Sequence, residues 1–371
     1  MPTKFGKLIS SKIFSKIFVI CYVISVVFIA VETNNALSLL CNSTVLAVVL
    51  YILTAVVGLL VIVKKEMKCR PIKKILNFVR CFTIYFYQLF VLWELGCLLF
   101  RVNASIKAIG IGAVYAVSVV IVLAGYLHTK VIKTKTYDID LGKNGDKLKI
   151  ALISDIHLGG FVSSKHIRKV VEKINVLSAD IVLIAGDIFD GDNSLLDHKA
   201  ELKRISKVFR KIKSNKGVYA VLGNHDPSLE DKRLKHFLHE SKINVLNNAM
   251  VEFDRFVLAG QTDATNKERV SLEEILKPNK SDKPIILLDH KPEGIDNAVE
   301  NHVSLALYGH THRGQFFPVT IFTKWANGRT KHYGIAKKCD TFSVITSGVG
   351  FFSLPIRIGT SNEVVEINVN L

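Results

Sequence analysis

Cysteine is scarce in this sequence and never occurs as a closely spaced pair. The six cysteines stand at positions 21, 41, 69, 81, 97 and 339, and no C-x-x-C spacing occurs. Zinc ribbons and thiol redox centres use that spacing, so the pattern argues against both. Five of the six lie in or beside apolar segments, which leaves Cys339 alone in the polar half of the chain and argues against a disulfide framework.

Acidic residues are also in deficit, with 32 Asp and Glu against 49 Lys and Arg and a formal net charge of +17. The excess is uneven, because residues 1–146 carry +11 and residues 147–371 carry +6. Most of it therefore flanks the apolar segments, as the positive-inside rule for membrane proteins describes. A separate basic domain of the kind that binds nucleic acid is lacking, and we expect no nucleic-acid partner.

Long apolar runs fill the N-terminal third of the chain. Four of them reach the roughly 20 residues that a bilayer-spanning helix needs: Ile13–Val31, Val45–Val63, Phe82–Phe100 and Ile106–Leu127. A cleaved signal peptide is an alternative for the first run, but no small-x-small cleavage site follows it. We predict an all-α four-helix transmembrane region over residues 1–130, a juxtamembrane connector over 131–148 and a catalytic domain over 149–371.

Basic residues alternate from loop to loop around these runs. The N-terminal tail has four lysines, the loop 32–44 has no Lys or Arg, the loop Lys64–Arg80 is strongly basic, and more lysines follow the last run. This alternation predicts a multi-pass protein of the cell membrane with the catalytic domain on the cytoplasmic face. No Gly-, Ser- or Pro-rich linker intervenes, so the domain should lie close to the membrane.

Five short polar blocks close apolar runs in the second half of the chain. They are Ser154–Gly159 (SDIHLG), Gly186–Asp190 (GDIFD), Gly223–Asp226 (GNHD), Asp289–Pro292 (DHKP) and Gly309–His312 (GHTH). Asp, His and Asn are side chains that divalent metals take as ligands, and strand ends bring such side chains to one rim of a sheet. Five blocks in series therefore predict a two-metal hydrolytic centre.

Apolar strand-like runs alternate with helical patterns between residues 149 and 371. Lys149–Ser154 and Asp180–Ala185 are typical of buried strands, and Ser164–Leu177 has the apolar spacing of a helix. The alternation predicts an α/β (α+β) domain in which helices cover the sheets. A single doubly wound parallel sheet is one possibility, but the hairpin-like stretch Ile243–Gly260 favours two packed mixed sheets.

The blocks resemble those of the calcineurin-like metallophosphoesterases, and the similarity extends over nearly all of residues 149–371. The tail segments Gly348–Gly350 and Leu354–Arg357 are similar to the bacterial membrane-associated branch of that family. The resemblance implies a β-sandwich flanked by helices and a hydrolase that uses two divalent metal ions. Mn, Fe and Zn all suit mixed nitrogen and oxygen ligands, so the sequence leaves the metal open.

The resemblance also assigns roles to the residues at matching positions. It implies one metal held by Asp155, His157 and His312, a second held by Asn224, His290 and His310, and a bridge between them by Asp187. His225 would protonate the leaving oxygen or stabilise charge on the phosphoryl group, with Asp226 orienting its ring. Arg313 stands where the family usually has glycine, and we interpret it as a substrate-binding residue.

The expected activity is hydrolysis of a phosphoester or pyrophosphate bond by in-line attack of a metal-bridging hydroxide. A tether beside the bilayer makes a lipid-linked phosphodiester or pyrophosphate the most economical substrate. A nucleotide or cyclic-nucleotide phosphodiesterase, or a nuclease, is the alternative enzyme. A catalytically silent metal-binding membrane scaffold or sensor is the alternative of another class, and the intact His225–Asp226 pair argues against it.

Overall fold

The computed structural model describes residues 24, 26–36, 39, 70–142, 145–191, 194–328 and 330–371. The chain divides into two compact units. The first unit contains Met1–Leu127 with Ser353–Pro355, and the second contains His128–Phe352 with Ile356–Leu371.

Two long helices dominate the described part of the first unit, α1 (Arg70–Phe100) and α2 (Ala104–His128). Residues 26–36 are helical as well. Both α1 and α2 are long and apolar enough to cross a membrane. They contain the predicted segments Phe82–Phe100 and Ile106–Leu127. Val45–Val63 lies outside the described residues, and so does most of Ile13–Val31.

Among the described residues of the second unit, twelve strands form two six-stranded sheets. The strands are β1 (Ile132–Asp140), β2 (Lys147–Ile153), β3 (Ile181–Ala185), β4 (Val218–Val221), β5 (Ile243–Val245), β6 (Ala249–Glu252), β7 (Val257–Gly260), β8 (Ile285–Leu288), β9 (Leu305–Tyr308), β10 (Gly334–Lys338), β11 (Thr341–Ile345) and β12 (Asn362–Asn370). Sheet 1 has the order β1-β12-β2-β3-β4-β5 and sheet 2 the order β10-β11-β9-β8-β7-β6.

Both sheets are mixed, but the strands that carry the polar blocks run parallel within each sheet. In sheet 1, β2, β3, β4 and β5 are parallel neighbours, whereas β12 is antiparallel to β2. In sheet 2, β7, β8, β9 and β11 are parallel, and the edge strands β6 and β10 are antiparallel to their neighbours. The carboxyl ends of β2–β4 and of β8–β9 therefore each gather at one edge.

Alternation along each strand builds a sandwich. Ile150 and Leu152 of β2 pack between the two sheets, whereas Ala151 and Ile153 face a layer of helices. Each such fully buried aliphatic side chain contributes about 1.5–3 kcal/mol to stability. The expected β-sandwich flanked by helices is confirmed, and the two packed sheets replace the single doubly wound sheet that was the other possibility.

Helices cover both outer faces of the sandwich. Three pack on sheet 1: α3 (Ser164–Leu177), α4 (Lys199–Phe209) and α5 (Lys232–Ser241). Two short ones pack on sheet 2: α6 (Leu272–Leu276) and α7 (Ile295–Glu300). A further helix, α8 (Val319–Asn327), follows β9 and a single 3-10 turn, His312–Gly314.

Strand β1 lies where the sequence predicted a connector. Ile132–Asp140 pairs in parallel with β12 along its whole length, as the edge strand of sheet 1. Its sequence, IKTKTYDID, has no continuous apolar run, and among its residues only Ile139 is buried. An edge strand exposed on both faces gives no alternating or continuous apolar pattern, so sequence periodicity does not reveal it.

Candidate metal centre

Five strand ends deliver the polar blocks. β2 is followed by Asp155 and His157, β3 by Asp187, and β4 by Asn224 in sheet 1; β8 is followed by His290 and β9 by His310 and His312 in sheet 2. Parallel strands place successive carboxyl ends at the same sheet edge. The two sheets thus contribute ligand-type side chains to one rim of the sandwich.

The backbone at this rim is unusual. Five non-glycine residues of the blocks have φ between 49° and 69°, in the left-handed region: Asp155, His157, Asp187, His310 and His312. Such a conformation costs about 1–3 kcal/mol per residue and persists where the surroundings enforce it, which is common at functional sites. These backbone conformations turn the five side chains toward a common point.

Asp155, His157 and His312 form the first cluster, and all three are buried. The Nε2 atoms of His157 and His312 are 3.0 Å apart, and His312 Nε2 is 3.3 Å from Asp155 Oδ1. Asp155 is held from behind, because the Ser154 hydroxyl and the backbone N–H of His310 both donate to it. One cation could contact all three side chains.

Asp187, His290 and His310 form the second cluster. His290 Nε2 is 3.3 Å from Asp187 Oδ2, and the rings of His290 and His310 lie 5.1 Å apart. His290 Nδ1 bonds the backbone carbonyl of Ala185 at 2.7 Å. That bond fixes the imidazole and leaves Nε2 as the atom available to a metal.

Asp187 faces both clusters. Its Oδ2 is 3.3 Å from His290 Nε2 and 3.7 Å from His157 Nε2 of the first cluster, and its Oδ1 accepts the backbone N–H of His225. Space beside it is tight, since a Cβ on Gly223 would stand 2.1 Å from Asp187 Oδ1. This carboxylate is therefore placed to bridge two cations.

The donor set fits two divalent cations. Asn224 Oδ1 is buried and accepts no hydrogen bond from the described residues. A buried carbonyl oxygen without a donor is costly, and a cation would satisfy it. Carboxylates, imidazoles and one amide oxygen are the mixed oxygen and nitrogen ligands that Mn, Fe and Zn accept.

Burial sets the protonation of most of these histidines. It lowers the pKa of His157 to about 3 and that of His310 to about 4, and it lowers the pKa of His312 well below its ordinary value. Neutral imidazoles keep the lone pair that a metal needs. His290 differs: burial alone would lower its pKa, but the adjacent Asp187 carboxylate raises it above the ordinary value.

His225 lies beside both clusters without belonging to either. Its ring is 5.4 Å from the ring of His157 and 4.6 Å from that of Phe352. Asp226 does not bond this ring in the structure. Its two carboxylate oxygens accept the backbone N–H groups of Phe189 and Gly223, at 2.7 and 2.9 Å. Asp226 therefore joins the turn after β4 to the loop after β3, a different contact from the orienting one the sequence suggested.

Arg313 follows His312 directly and adopts a left-handed backbone conformation with φ of 53°. Its guanidinium lies 4.5 Å from the centre of the Tyr333 ring. The side chain is partly exposed. The structure thus places a cation next to the first cluster, stacked on an aromatic ring.

Arg357 is the main residue of the site that sequence reasoning missed as a functional element. Its side chain is fully buried and donates to the backbone carbonyls of His312, Ser347 and Gly350 and to Asn362 Oδ1. Burial lowers its pKa to about 10, so it remains charged at neutral pH. Its contact with His312 joins residues 45 positions apart along the chain, so this role has no local signal in the sequence.

A sixth polar block was also missed, although the strand-end signal was present. β7 is followed by Gln261-Thr262-Asp263, and Asp263 Oδ1 lies 3.5 Å from Lys291 Nζ, next to His290 in the chain. Asp289 of the same block as Lys291 forms a two-pronged ion pair with Arg269, at 2.9 and 3.2 Å. These pairs support the second cluster from the sheet 2 side.

Comparison with known proteins agrees with this geometry. Residues 148–314 match the sequence signature of the calcineurin-like phosphoesterases. A zebrafish (Danio rerio) transmembrane protein with metallophosphoesterase domain is 30% identical over 320 residues, which cover 77% of this chain and 71% of the relative. A metallophosphoesterase of Helicobacter pylori strain J99 is 30% identical over 251 residues, covering 66% of this chain. The match spans 65% of that bacterial relative's own length.

The chain belongs to the calcineurin-like phosphoesterase family. Members of this family use two divalent metal ions, and this chain has two clusters of candidate metal ligands.

Proposed function

We propose that this protein is a membrane-anchored phosphohydrolase that cleaves a phosphoester or pyrophosphate bond in a lipid-linked substrate. The observation that carries the catalytic part is the position of Asp187, whose carboxylate faces the ligand cluster of each sheet. A shared carboxylate between two clusters of imidazole ligands is what a two-cation phosphoryl-transfer centre requires.

Seven side chains would hold the two cations. Asp155, His157 and His312 would bind one, Asn224, His290 and His310 the other, and Asp187 both. When bound, the cations would activate water and neutralise charge on the phosphoryl oxygens. We propose an in-line displacement, in which the leaving group departs opposite the attacking oxygen.

His225 is proposed to act on the leaving oxygen. It lies beside the first cluster, and its backbone N–H is fixed by Asp187 at 2.9 Å. No ligand role is proposed for it, so its ring can donate a proton as the bond to phosphorus breaks. Asp226 is proposed to position this turn through its bonds to the backbone of Phe189 and Gly223. Arg313 is proposed to contact the substrate beside the first cluster.

Membrane anchoring is supported by α1 and α2, which are long and apolar enough to cross a bilayer, and by the name of the zebrafish relative. Only residues 129–131 separate α2 from β1. Three residues reach about 10 Å at most, so the catalytic unit would begin at the bilayer. A substrate confined to the membrane suits such a tether.

A substrate screen with the purified full-length protein tests the proposal. After loading with Mn²⁺, hydrolysis would be compared among lipid pyrophosphates, glycerophospholipids, cyclic nucleotides, single-stranded DNA and aryl phosphodiesters. We expect the lipid-linked substrates to have the highest kcat/KM. A preference for nucleotides or DNA would contradict the lipid proposal and leave the hydrolase assignment in place.

The same screen needs a control for activity of a contaminating hydrolase. Asp187→Asn keeps the size of the side chain but removes the charge that would bridge the cations, and it should lose both bound metal and turnover. If the parent protein binds two metals and hydrolyses none of the substrates, the protein is a catalytically silent metal-binding scaffold and not an enzyme.

A further inference from the structure

Helix α8 has an inverted arrangement of polar and apolar residues. Its residues that are partly covered by the unit are Thr320, Thr323 and Asn327. Its large apolar residues point away from the unit, and none of the nine residues is buried. In a helix that serves only to cover a core, the apolar stripe faces inward.

The exposed apolar residues form one continuous surface. At 100° per residue, Ile321, Trp325, Phe322, Ala326 and Val319 occupy consecutive positions around the helix axis. Ile321, Phe322 and Trp325 have 57%, 59% and 62% of their surface exposed. Elsewhere among the described residues of the second unit, the large apolar side chains with comparable exposure are Phe317, Val131, Val176, Ile335 and Phe352. A cluster of this kind marks an interaction surface.

Positive charge borders the apolar surface. Lys324 lies beside Ile321 on the helix circumference and is exposed. Burial lowers the pKa of His332, and the nearby charges of Arg313 and Lys324 lower it further. Lys331, four residues after the end of α8, shares the carboxylate of Asp296 with Lys338 of β10, so these three groups together carry a net positive charge.

We propose that α8 is an interfacial helix that docks the catalytic unit on the surface of an anionic lipid bilayer. Apolar and aromatic residues on one face with lysine at its edge are typical of helices that lie in the plane of a membrane. Tryptophan favours the headgroup region, and each nearby lysine is attracted to anionic lipid. The chain also contains α1 and α2, so a bilayer is the partner whose chemistry the molecule already matches.

Docking through α8 would bring the metal centre to the bilayer. The first residues of α8 pack directly on the turn that holds His312, since a Cβ on Gly314 would stand 2.6 Å from Thr320 Cα. The inference goes beyond the proposed activity, because lipid contact by α8 does not require turnover. Docking would in addition let the phosphate of a lipid headgroup reach the metal centre while the lipid stays in the bilayer.

Fluorescence of Trp325 tests the docking in the full-length protein. The chain has two tryptophans, Trp93 and Trp325, so a Trp93→Phe background leaves Trp325 as the sole emitter. This protein would be reconstituted at one copy per nanodisc with phosphatidylglycerol. Lipids brominated on the acyl chain near the headgroup should quench Trp325, and replacing the anionic lipid with phosphatidylcholine should weaken that quenching.

Two acid substitutions separate docking from non-specific effects. Ile321→Glu combined with Phe322→Glu should abolish quenching by brominated lipid and make Trp325 accessible to acrylamide in water. The matched control, Val176→Glu, places the same charge on an exposed apolar position of α3 and should leave lipid quenching unchanged. Each variant should bind as much metal as the parent, which shows that the catalytic unit is folded.

Two results would overturn the inference. In one, Trp325 of the parent is open to acrylamide and insensitive to brominated lipid, which means that α8 is in water. In the other, Trp325 is shielded from both quenchers, which means that protein covers α8, as another part of the chain or a second copy would.

Discussion

His225 donates its backbone N–H to the ligand carboxylate Asp187. Unlike the surrounding histidines, it contributes its ring to neither ligand cluster. We predict that His225→Ala retains both metals and loses about 10²–10⁴-fold in kcat, as is usual when a general acid is removed. Metal analysis and steady-state kinetics on the same preparation measure this. The control is His198→Ala, an exposed histidine at the start of α4, which should change neither. Loss of metal in His225→Ala would show a ligand role instead.

His290 makes metal binding at the second cluster depend on pH. Because Asp187 raises its pKa, against the effect of burial, the metal-free imidazole is protonated at neutral pH. A metal at Nε2 must displace that proton, so affinity should increase as pH rises toward the pKa and one proton should be released. Titration calorimetry in buffers of different ionisation enthalpy counts the protons. Metal binding at this cluster with no proton release at neutral pH would contradict the assignment.

Arg357 stabilises the turn that carries His312 by donating to three backbone carbonyls. In Arg357→Met these buried acceptors lose their donor, at about 1–3 kcal/mol each. We expect a lower melting temperature and a lower kcat, because His312 would no longer be held. The control Arg233→Met removes an exposed arginine that pairs with Asp231 and Asp197, and it should leave the melting temperature nearly unchanged, because exposed ion pairs contribute little to stability. Equal melting temperatures for the two variants would contradict the proposal that Arg357 positions His312.

At the scale of single residues, the sequence identified those site residues whose role is indicated by their immediate neighbours along the chain. Asp155 and His157 follow a buried strand two positions apart, so their proximity is a local property. Arg357 meets His312 only after the chain has passed through α8, β10 and β11, and nothing beside it in sequence indicates this contact. The hydrogen bond from the backbone of Phe189 to Asp226 likewise joins two different strand ends and has no local signal in the sequence.

Elements meet at the rim through glycines that allow two loops to touch. The turn after β4 approaches the loop after β3 so closely that a Cβ on Gly223 would collide with Asp187, at 2.1 Å from Oδ1 and 2.5 Å from the backbone nitrogen. We predict that Gly223→Ala displaces Asp187 and lowers the metal content. Gly160→Ala is the matched control, since a Cβ there meets nothing within 4 Å. Metal content is read by mass spectrometry of the purified proteins, and unchanged metal in Gly223→Ala would mean that the two loops can separate without cost.

The sequence predicted those helices and strands that bury an apolar face. The helix expected over Ser164–Leu177 has those limits in α3, because His166, Ile167, Val170, Val171 and Ile174 form a buried stripe. Strand β1 and helix α8 lack such a stripe. β1 is stabilised by backbone pairing with β12, and α8 presents its apolar residues outward. The periodicity of apolar residues shows which face of an element is apolar. It does not show whether that face contacts protein, water or lipid.

At the scale of the whole molecule, the chain combines an apolar unit with a metal-binding sandwich. Within the first unit, Lys107 of α2 pairs with Glu94 of α1 at 2.9 Å and with Glu32 at 2.6 Å. Charged side chains in apolar helices are costly unless paired, so this triad supports a helix bundle. The number of spans stays a prediction, since the second predicted segment lies outside the described residues.

The side of the membrane on which the catalytic unit lies is the last prediction. Basic segments resist translocation, and an even number of spans would return the chain to its starting side, so we expect the unit in the cytoplasm. Single-cysteine variants test this in intact cells with a membrane-impermeant thiol reagent. Cys41, in the predicted outer loop, should be labelled, whereas Cys339 should react only after the cells are opened. Because Cys339 is exposed on the folded protein, protection in sealed cells would come from the membrane and not from burial. A cysteine introduced at Lys280 serves as a second reporter on the same unit. Labelling of both in sealed cells would place the metal centre outside and make its substrate a lipid or polymer of the outer leaflet.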